Sequence, residues 1–419
     1  MKVLGVIVEY NPFHNGHLYH IEQAKKITGA EYVICIMSGN FIQRGEPAII
    51  NKWARAKTAL LNGVDLVIEL PVTYALSSAE YFAHGAVKIL NDIGIVDYLC
   101  FGSESGETKT LDIIANILYN EPDLYKSILK KELKKGLSYP ASRENALAKY
   151  LYAKKDLNLS IDKLLSQSNN ILGIEYLKAL KRLNSNITPV TIKRINNSYN
   201  TEDITGSISS ATAIRKHLLK SMNCSVQNVL DMVLPKTSYN IVNEEITAGR
   251  GPISPSCFYD IISALIRKST SVQLKEIMYV SEGLENRIKS ATNTTGTYND
   301  LLEKICTKRY TVTRIQRILM NIMLGITSKD ITIFNSYNGP QYARVLGFNQ
   351  RGKYLMSLIK KNSSIPMILK TANFINSCNP LLRKMLELES ISTDIYVLGY
   401  KNSAYRKASQ EFTQNVIII

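Results

Sequence analysis

The stretch VLGVIVEYNPFHNGHLYHIEQAKKI, residues 3–27, decides how this chain folds. An apolar run from Val3 to Val8 reads as a strand, and residues 17–27 read as an amphipathic helix. Between them lies His14-Asn15-Gly16-His17. A strand, a glycine-containing turn and a helix start form an anion-binding arrangement. The first N–H groups of the helix lack partners and its dipole end is positive. Gly16 has no Cβ to hold a phosphate at a distance. His14 and His17 are three residues apart, so a turn that is already helical puts both imidazoles on one face. There they can donate to phosphate oxygens as negative charge builds at an α-phosphorus. Two histidines at this spacing also suit zinc, but no Cys or His cluster follows to supply the remaining ligands, and no metal site is expected. Pro12 and Phe13 offer a rigid apolar platform beside a base or ribose.

Strand and helix signals alternate onward from this junction. Strands are expected at 32–37, 66–70 and 98–101, and helices at 52–61 and 78–91, the first closed by Asn62-Gly63. Residues 111–183 turn helical, 187–192 return as a strand and 209–219 close with a helix. The fold class is therefore α/β, a Rossmann-like domain on a doubly wound parallel sheet with ligands at the strand carboxyl ends. Gly249, Gly251, Pro252 and Pro255 mark a linker-like stretch, and the remainder reads as mainly α-helical with an extended piece near 365–369. The expected division is residues 1–220 for catalysis and residues 221–419 for a basic helical domain.

Composition narrows the partners. The 419 residues are 45% hydrophobic, contain no apolar run long enough to span a membrane, and start without a secretory signal. The six cysteines are scattered with no C-x-x-C pair, as expected of buried free thiols in a reducing cytoplasm. Net charge is +16, and residues 301–419 hold 17 Lys and Arg against 6 Asp and Glu. So lopsided a block points to a polyanion, with nucleic acid ahead of a membrane surface.

Further loops are expected around the same crevice. Ser38-Gly39-Asn40-Phe41 leads to Arg44, Lys52 and Arg55, cations that can serve phosphate or an acidic substrate. Gly102-Ser103-Glu104 ends a strand and permits close approach of a nucleotide. Asn169-Asn170 precede a helix, and Lys193-Arg194 follow the last strand. Ser210 and Thr212 bring hydroxyls to a helix start, with Arg215 one turn in to oppose phosphate charge.

An H-x-G-H after the first strand with a later S-x-T-x-I-R helix resembles the nucleotidyltransferase-type α/β phosphodiesterases, a group that includes adenylyltransferases and class I aminoacyl-tRNA synthetases. Ala211 stands where that motif more often has a second serine. The longer stretches VEYNPFHNGH (8–17), SGNFIQRGEPA (38–48), DLVIELP (65–71), FGSE (101–104) and NNILGIEY (169–176) narrow the resemblance to the tRNA(Met) cytidine acetate ligase family. Weaker matches are EGLENR (282–287) and the segment from Lys308 to Arg317.

That resemblance implies a two-step reaction. Acetate attacks the α-phosphate of ATP, giving acetyl-adenylate and pyrophosphate; the N4 amine of the wobble cytidine of elongator tRNA(Met) then takes the acetyl group and AMP leaves. By the same resemblance His14 and His17 are catalytic. ATP would be lined by Ile7, Val8, Glu9, Tyr10, Asn11, Pro12, Phe13, His14, Asn15, Gly16, His17 and His20, with Gly102, Asn169, Arg194 and Ile195. Lys308, Arg309, Arg314 and Arg317 would hold tRNA, and Mg2+ and the oligomeric state are left open. An adenylyltransferase making a nucleotide cofactor explains the first 220 residues equally well, but it leaves the basic tail idle. A catalytically inert RNA-binding protein predicts tRNA binding without pyrophosphate release.

Overall fold

A computed structural model describes residues 1–154, 164–165, 167–194, 209–220 and 227–419. Its centre is an eight-stranded sheet. Strands β1 (Val3–Val8), β2 (Tyr32–Ser38), β5 (Leu66–Leu70), β6 (Tyr98–Ser103) and β7 (Thr188–Lys193) run in the order β5-β2-β1-β6-β7, all parallel. The short strands β3 (Phe41–Ile42) and β4 (Glu46–Pro47) form a separate hairpin. All five residues of β5 are buried, which explains why it is apolar except at Glu69.

The helices of this half are α1 (Asn15–Thr28), α2 (Lys52–Leu61), α3 (Val72–Ala75), α4 (Ala79–Asp92), α5 (Thr108–Asn120), α6 (Asp123–Leu133), α7 (Tyr139–Lys154), α8 (Ser168–Arg182) and α9 (Ala211–Lys220). Side chains alternate across the sheet as a strand requires. Val3 joins a core with α4, α8 and the late helices, whereas Leu4 and Val6 face Ile21 of α1 and Ala56 of α2. Helix α1 stops at Gly29, whose φ of 65° is left-handed, with Lys25 and Lys26 in the last turn.

The expected parallel sheet gains an antiparallel member from the far end of the chain. Strand β8 (Ala343–Phe348) pairs antiparallel with β5, while β9 (Met367–Ile368) and β10 (Ile417–Ile418) add in parallel to β8. The late part is otherwise helical, but the sheet and the main apolar core cross the division near 220. The glycine–proline stretch read as a linker is pinned to the body: Ile253 N donates to Ile49 O at 2.9 Å. Two thiols also depart from expectation, since Cys257 and Cys378 are exposed while Cys35 and Cys100 are buried. Among the described residues no helix is long and apolar enough to cross a membrane.

Candidate nucleotide site

Strand order reverses between β1 and β6, because β1 leads to β2 on one side and pairs with β6 on the other. Such a switch point opens a crevice at the carboxyl ends of the strands. A cavity of about 250 Å3 lies there, walled by Ile7 and Val8 of β1, Phe101 and Gly102 of β6, and Ile192 and Lys193 of β7. Helix α1 begins at its edge.

The histidines are themselves the helix cap. His14 is the N-cap of α1, and its Nδ1 accepts from Gly16 N at 3.0 Å. His17 answers by accepting from His14 N at 3.2 Å, also through Nδ1. The rings stack with centroids 3.7 Å apart and an interplanar angle of 25°. A backbone N–H can only donate, so each Nδ1 is bare and each neutral ring carries its hydrogen on Nε2. Burial, with Arg194 and Arg215 nearby, lowers the pKa of His14 to about 3. Burial and the neighbouring His14, Arg194 and His20 lower that of His17 as well. Burial and Arg194 bring His20, one turn further, to about 4 against a hydrogen bond with Phe101 that raises it. At neutral pH His14 and His17 thus present neutral imidazoles whose Nε2–H groups are not used by the cap. They are donors that need no proton from solvent.

Cations surround them. Arg194 donates to Asn169 Oδ1 at 3.3 Å, and Asn169 is fixed in turn by Glu104, which accepts from its Nδ2 at 2.7 Å. Glu104 Oε2 also accepts from Asn170 N at 2.9 Å, while Asn170 Oδ1 accepts from Glu104 N at 3.0 Å. This reciprocal lock joins the end of β6 to the start of α8. Although solvent reaches Arg194, surrounding protein lowers its pKa, with Glu104 opposing that shift and Arg44 adding to it. Burial likewise lowers Arg215, with Glu46 and Glu9 opposing and Arg44 adding. Arg44 thus lowers both Arg194 and Arg215, and like charge gathered on this side of the cavity favours a negatively charged ligand. Gly102 gives Arg194 its room, since a Cβ there would lie 3.4 Å from Arg194 Cγ.

The structure brings together most of the expected nucleotide residues. Ile7, Val8, Glu9, Tyr10, His14 and Gly16 line the cavity, as do His17, His20, Gly102, Asn169 and Arg194. Ser210 reaches it while capping α9, accepting from Ala213 N at 3.1 Å. Asn11, Pro12 and Phe13 lie behind the wall: Asn11 Oδ1 holds Ile49 N at 2.7 Å and Phe13 packs on Tyr10 at 4.6 Å. Asn15 turns outward and donates to Met232 O at 2.9 Å. Thr212 is exposed and accepts from Arg215 at 3.4 Å, which makes it a support for that guanidinium. Ile195 lies outside the described residues. Phe82, Leu172 and Tyr176 also line the cavity; they come from α4 and α8, and only Phe82 falls outside the quoted motifs.

Three expected phosphate or acid ligands are placed elsewhere. Lys52 is fully buried at the start of α2, bonded to Glu69 at 2.7 Å, to Glu389 at 3.4 Å, and to Glu411. Arg55 is equally buried and donates to the carbonyls of Glu9, Ser38, Gly39 and Ile50, clamping the loop it was expected to serve from. Asn40 donates to Thr393 at 3.1 Å and accepts from Lys52 N at 3.0 Å. A cation that follows a glycine loop in sequence can point either into the crevice or under it, and these point under. The three carboxylates converge closely enough to suggest a metal site. Lys52 and Arg344 already lie among them, with Arg344 3.5 Å from Glu411.

The cations expected to meet RNA divide as well. Lys308 and Arg309 are exposed, Arg309 paired to Glu282. Arg314 and Arg317, on the helix Val312–Leu324, turn inward: Arg314 donates to Tyr279 O at 2.9 Å and Arg317 to Gln43 O at 3.2 Å. A larger, shallow groove of about 690 Å3 between α5 and α8 has no histidine or arginine in its walls.

The sequence and the fold both match known proteins over their full length. A family model described as HIGH Nucleotidyl Transferase matches residues 1–411. A protein of Acetivibrio thermocellus named tRNA(Met) cytidine acetate ligase is 64% identical over 419 residues, all of both chains. One of the same name from Halothermothrix orenii is 47% identical, covering 100% of this chain and 99% of its own. The crystal structure of Thermotoga maritima TmcAL bound with alpha-thio ATP superposes with a TM-score of 0.93 at 37% identity, and the apo form with 0.95 at 38%, each covering all of both chains. With the histidine-capped helix at the switch point, these matches show that the chain belongs to the HIGH nucleotidyltransferases, in the tRNA(Met) cytidine acetate ligase family.

Proposed function

We propose that this protein is an ATP-dependent ligase that joins acetate to N4 of the wobble cytidine of elongator tRNA(Met), by way of acetyl-adenylate. The stacked pair of neutral, backbone-locked imidazoles in a guanidinium-rimmed cavity carries the reading. An acetate oxygen attacks the α-phosphorus, the new P–O bond forms, and the bond to pyrophosphate breaks. Negative charge grows on the equatorial oxygens, where the Nε2–H groups of His14 and His17 would donate. Arg194, Arg215 and Arg44 would offset the charge of the phosphates, and the start of α1 would seat them. His14, His17, Arg194 and the residues lining the crevice thus take the nucleotide, with Ser210 at its rim. Glu9 supplies the only carboxylate of the cavity wall among the described residues. An Mg2+ travelling with ATP would therefore be held mainly by phosphate oxygens and water.

Exposed Lys308 and Arg309 would meet the tRNA backbone, and a tRNA substrate would suit a cytoplasmic protein. The test is ATP–pyrophosphate exchange with and without acetate, followed by nucleoside analysis of tRNA(Met). Acetate-dependent exchange and N4-acetylcytidine are expected. Exchange that needs a nucleotide-like acceptor would mark an adenylyltransferase, and tRNA binding without exchange an inert RNA-binding protein.

A further inference from the structure

The two chemical steps differ in one respect. Adenylation moves no proton, because the acetate oxygen that attacks phosphorus carries none. Acyl transfer does: N4 of cytidine starts with two hydrogens, attacks the acetyl carbon, and must lose one to become an amide. The C–N bond forms, the C–O bond to AMP breaks with its electron pair leaving on the phosphate, and one proton has to be taken up. The two capping histidines are poorly arranged to take it. His14 and His17 use Nδ1 to accept from the backbone at 3.0 and 3.2 Å, and Nε2 already carries hydrogen. Protonating either at Nδ1 would break the cap of α1.

We propose that Glu9 is the catalytic base of the transfer step, accepting the N4 proton as the amide forms. This rests on the acetate-ligase reading above. Glu9 follows β1 directly, is half-buried, and is the only acidic side chain in the cavity wall among the described residues. Its Oε1 accepts from Gln43 N at 2.9 Å, which fixes the carboxylate beside the hairpin of β3 and β4. Its Oε2 has no hydrogen-bond donor among the described residues and is free to receive a proton. Gln43 O accepts in turn from Arg317, so one residue links the carboxylate to the basic helical region. A weak base suffices, because an N4 nitrogen bonded to the acyl carbon becomes strongly acidic.

The full-length Glu9→Gln variant keeps the acceptor for Gln43 N and removes the base. Acetate-dependent pyrophosphate exchange and single-turnover acetyl transfer to unmodified tRNA(Met) are measured across about pH 5 to 8.5. The loss in transfer should exceed the loss in exchange by about 100-fold or more. The rise of wild-type transfer with pH on its acid side should also vanish. Equal losses in both steps would show that Glu9 merely anchors the hairpin, and undiminished transfer would dismiss it outright. Should the Gln variant not fold, Glu9→Asp decides: a displaced acid limb of transfer supports the base and an unchanged limb overturns it. Wild-type protein that makes no acetylcytidine would instead remove the ligase reading, and the base with it.

Discussion

In the cavity, His14, His17 and Arg194 face space that a ligand can enter, whereas Lys52 faces three carboxylates and no space at all. His14 and Lys52 each stand at the start of a helix, and both regions gather charge from distant segments. Their electrostatics differ in sign. Around the cavity, positive groups oppose one another and burial weakens each of them. In the buried cluster, burial lowers the Lys52 pKa but Glu411, Glu69 and Glu389 outweigh it and leave it raised. Burial and Glu389 push Glu69 well up, against Lys52. Burial acts on Glu411 in the same sense, but Lys52 and Arg344 bring it below its ordinary range. Three carboxylates against two cations leave one excess negative charge, and a proton on Glu69 removes it. One region has an unmet demand for anions and the other is closed, so a cation earns a functional reading only after its carboxylates are counted.

The strongest way to break this comparison is Lys52→Met. It strands buried carboxylates and should cost about 3–5 kcal/mol of unfolding free energy in denaturant titrations. Arg194→Ala should cost less than about 1 kcal/mol while weakening ATP binding. The reverse ranking would mean that the cluster is not structural.

His17→Ala comes next, removing one Nε2–H donor. Pyrophosphate exchange should fall about 10²–10³-fold with tRNA binding largely kept, as measured by exchange and by filter binding. Loss of both would point to damage at the start of α1.

Acid sharpens the contrast further. Between pH 6.5 and about 3 to 4, unfolded chains bind protons that His14 and His20 refuse when folded. Stability is therefore full above that window and falls as pH drops through it, by up to about 1.4 kcal/mol per pH unit for each ring. Bound ATP, by favouring charged imidazoles, should flatten the slope in denaturant melts. Glu69 acts with the opposite sign. Its raised folded pKa gives stability that is full below the unfolded value and lost as pH rises. Glu69→Gln should then match or exceed wild type at neutral pH and lose that advantage toward pH 4.5.

The smallest effects belong to the outer cations. Lys308→Ala and Arg309→Ala should each weaken tRNA binding modestly and reduce the salt slope by about 1, without touching exchange. Arg314→Ala, which removes an inward anchor, should instead loosen its helix and leave the slope nearly unchanged.

Much of this was legible in the sequence. The strand–turn–helix around His14, the Asn62 end of α2 and the helix beginning after Ser210 carry local signals, namely apolar period, caps and glycine. The cavity residues near those signals followed with them. What stayed hidden depends on distant partners. Nothing near Lys52 announces Glu389 or Glu411, more than 330 residues away, and nothing near Ala343 announces that β8 joins β5 antiparallel. Phe82 reaches the cavity from the first turn of an amphipathic helix, where its apolar character reads only as core.

The pairing of β5 with β8 has a further consequence for how the protein is made. Strand β5 leaves the ribosome roughly 270 residues ahead of its neighbour, which at ordinary synthesis rates is about 15–50 s. Throughout that interval a strand that is apolar but for Glu69 waits with one side of its backbone unsatisfied, a template for nascent chains of its own kind. Holding that edge until β8 arrives is work suited to a chaperone.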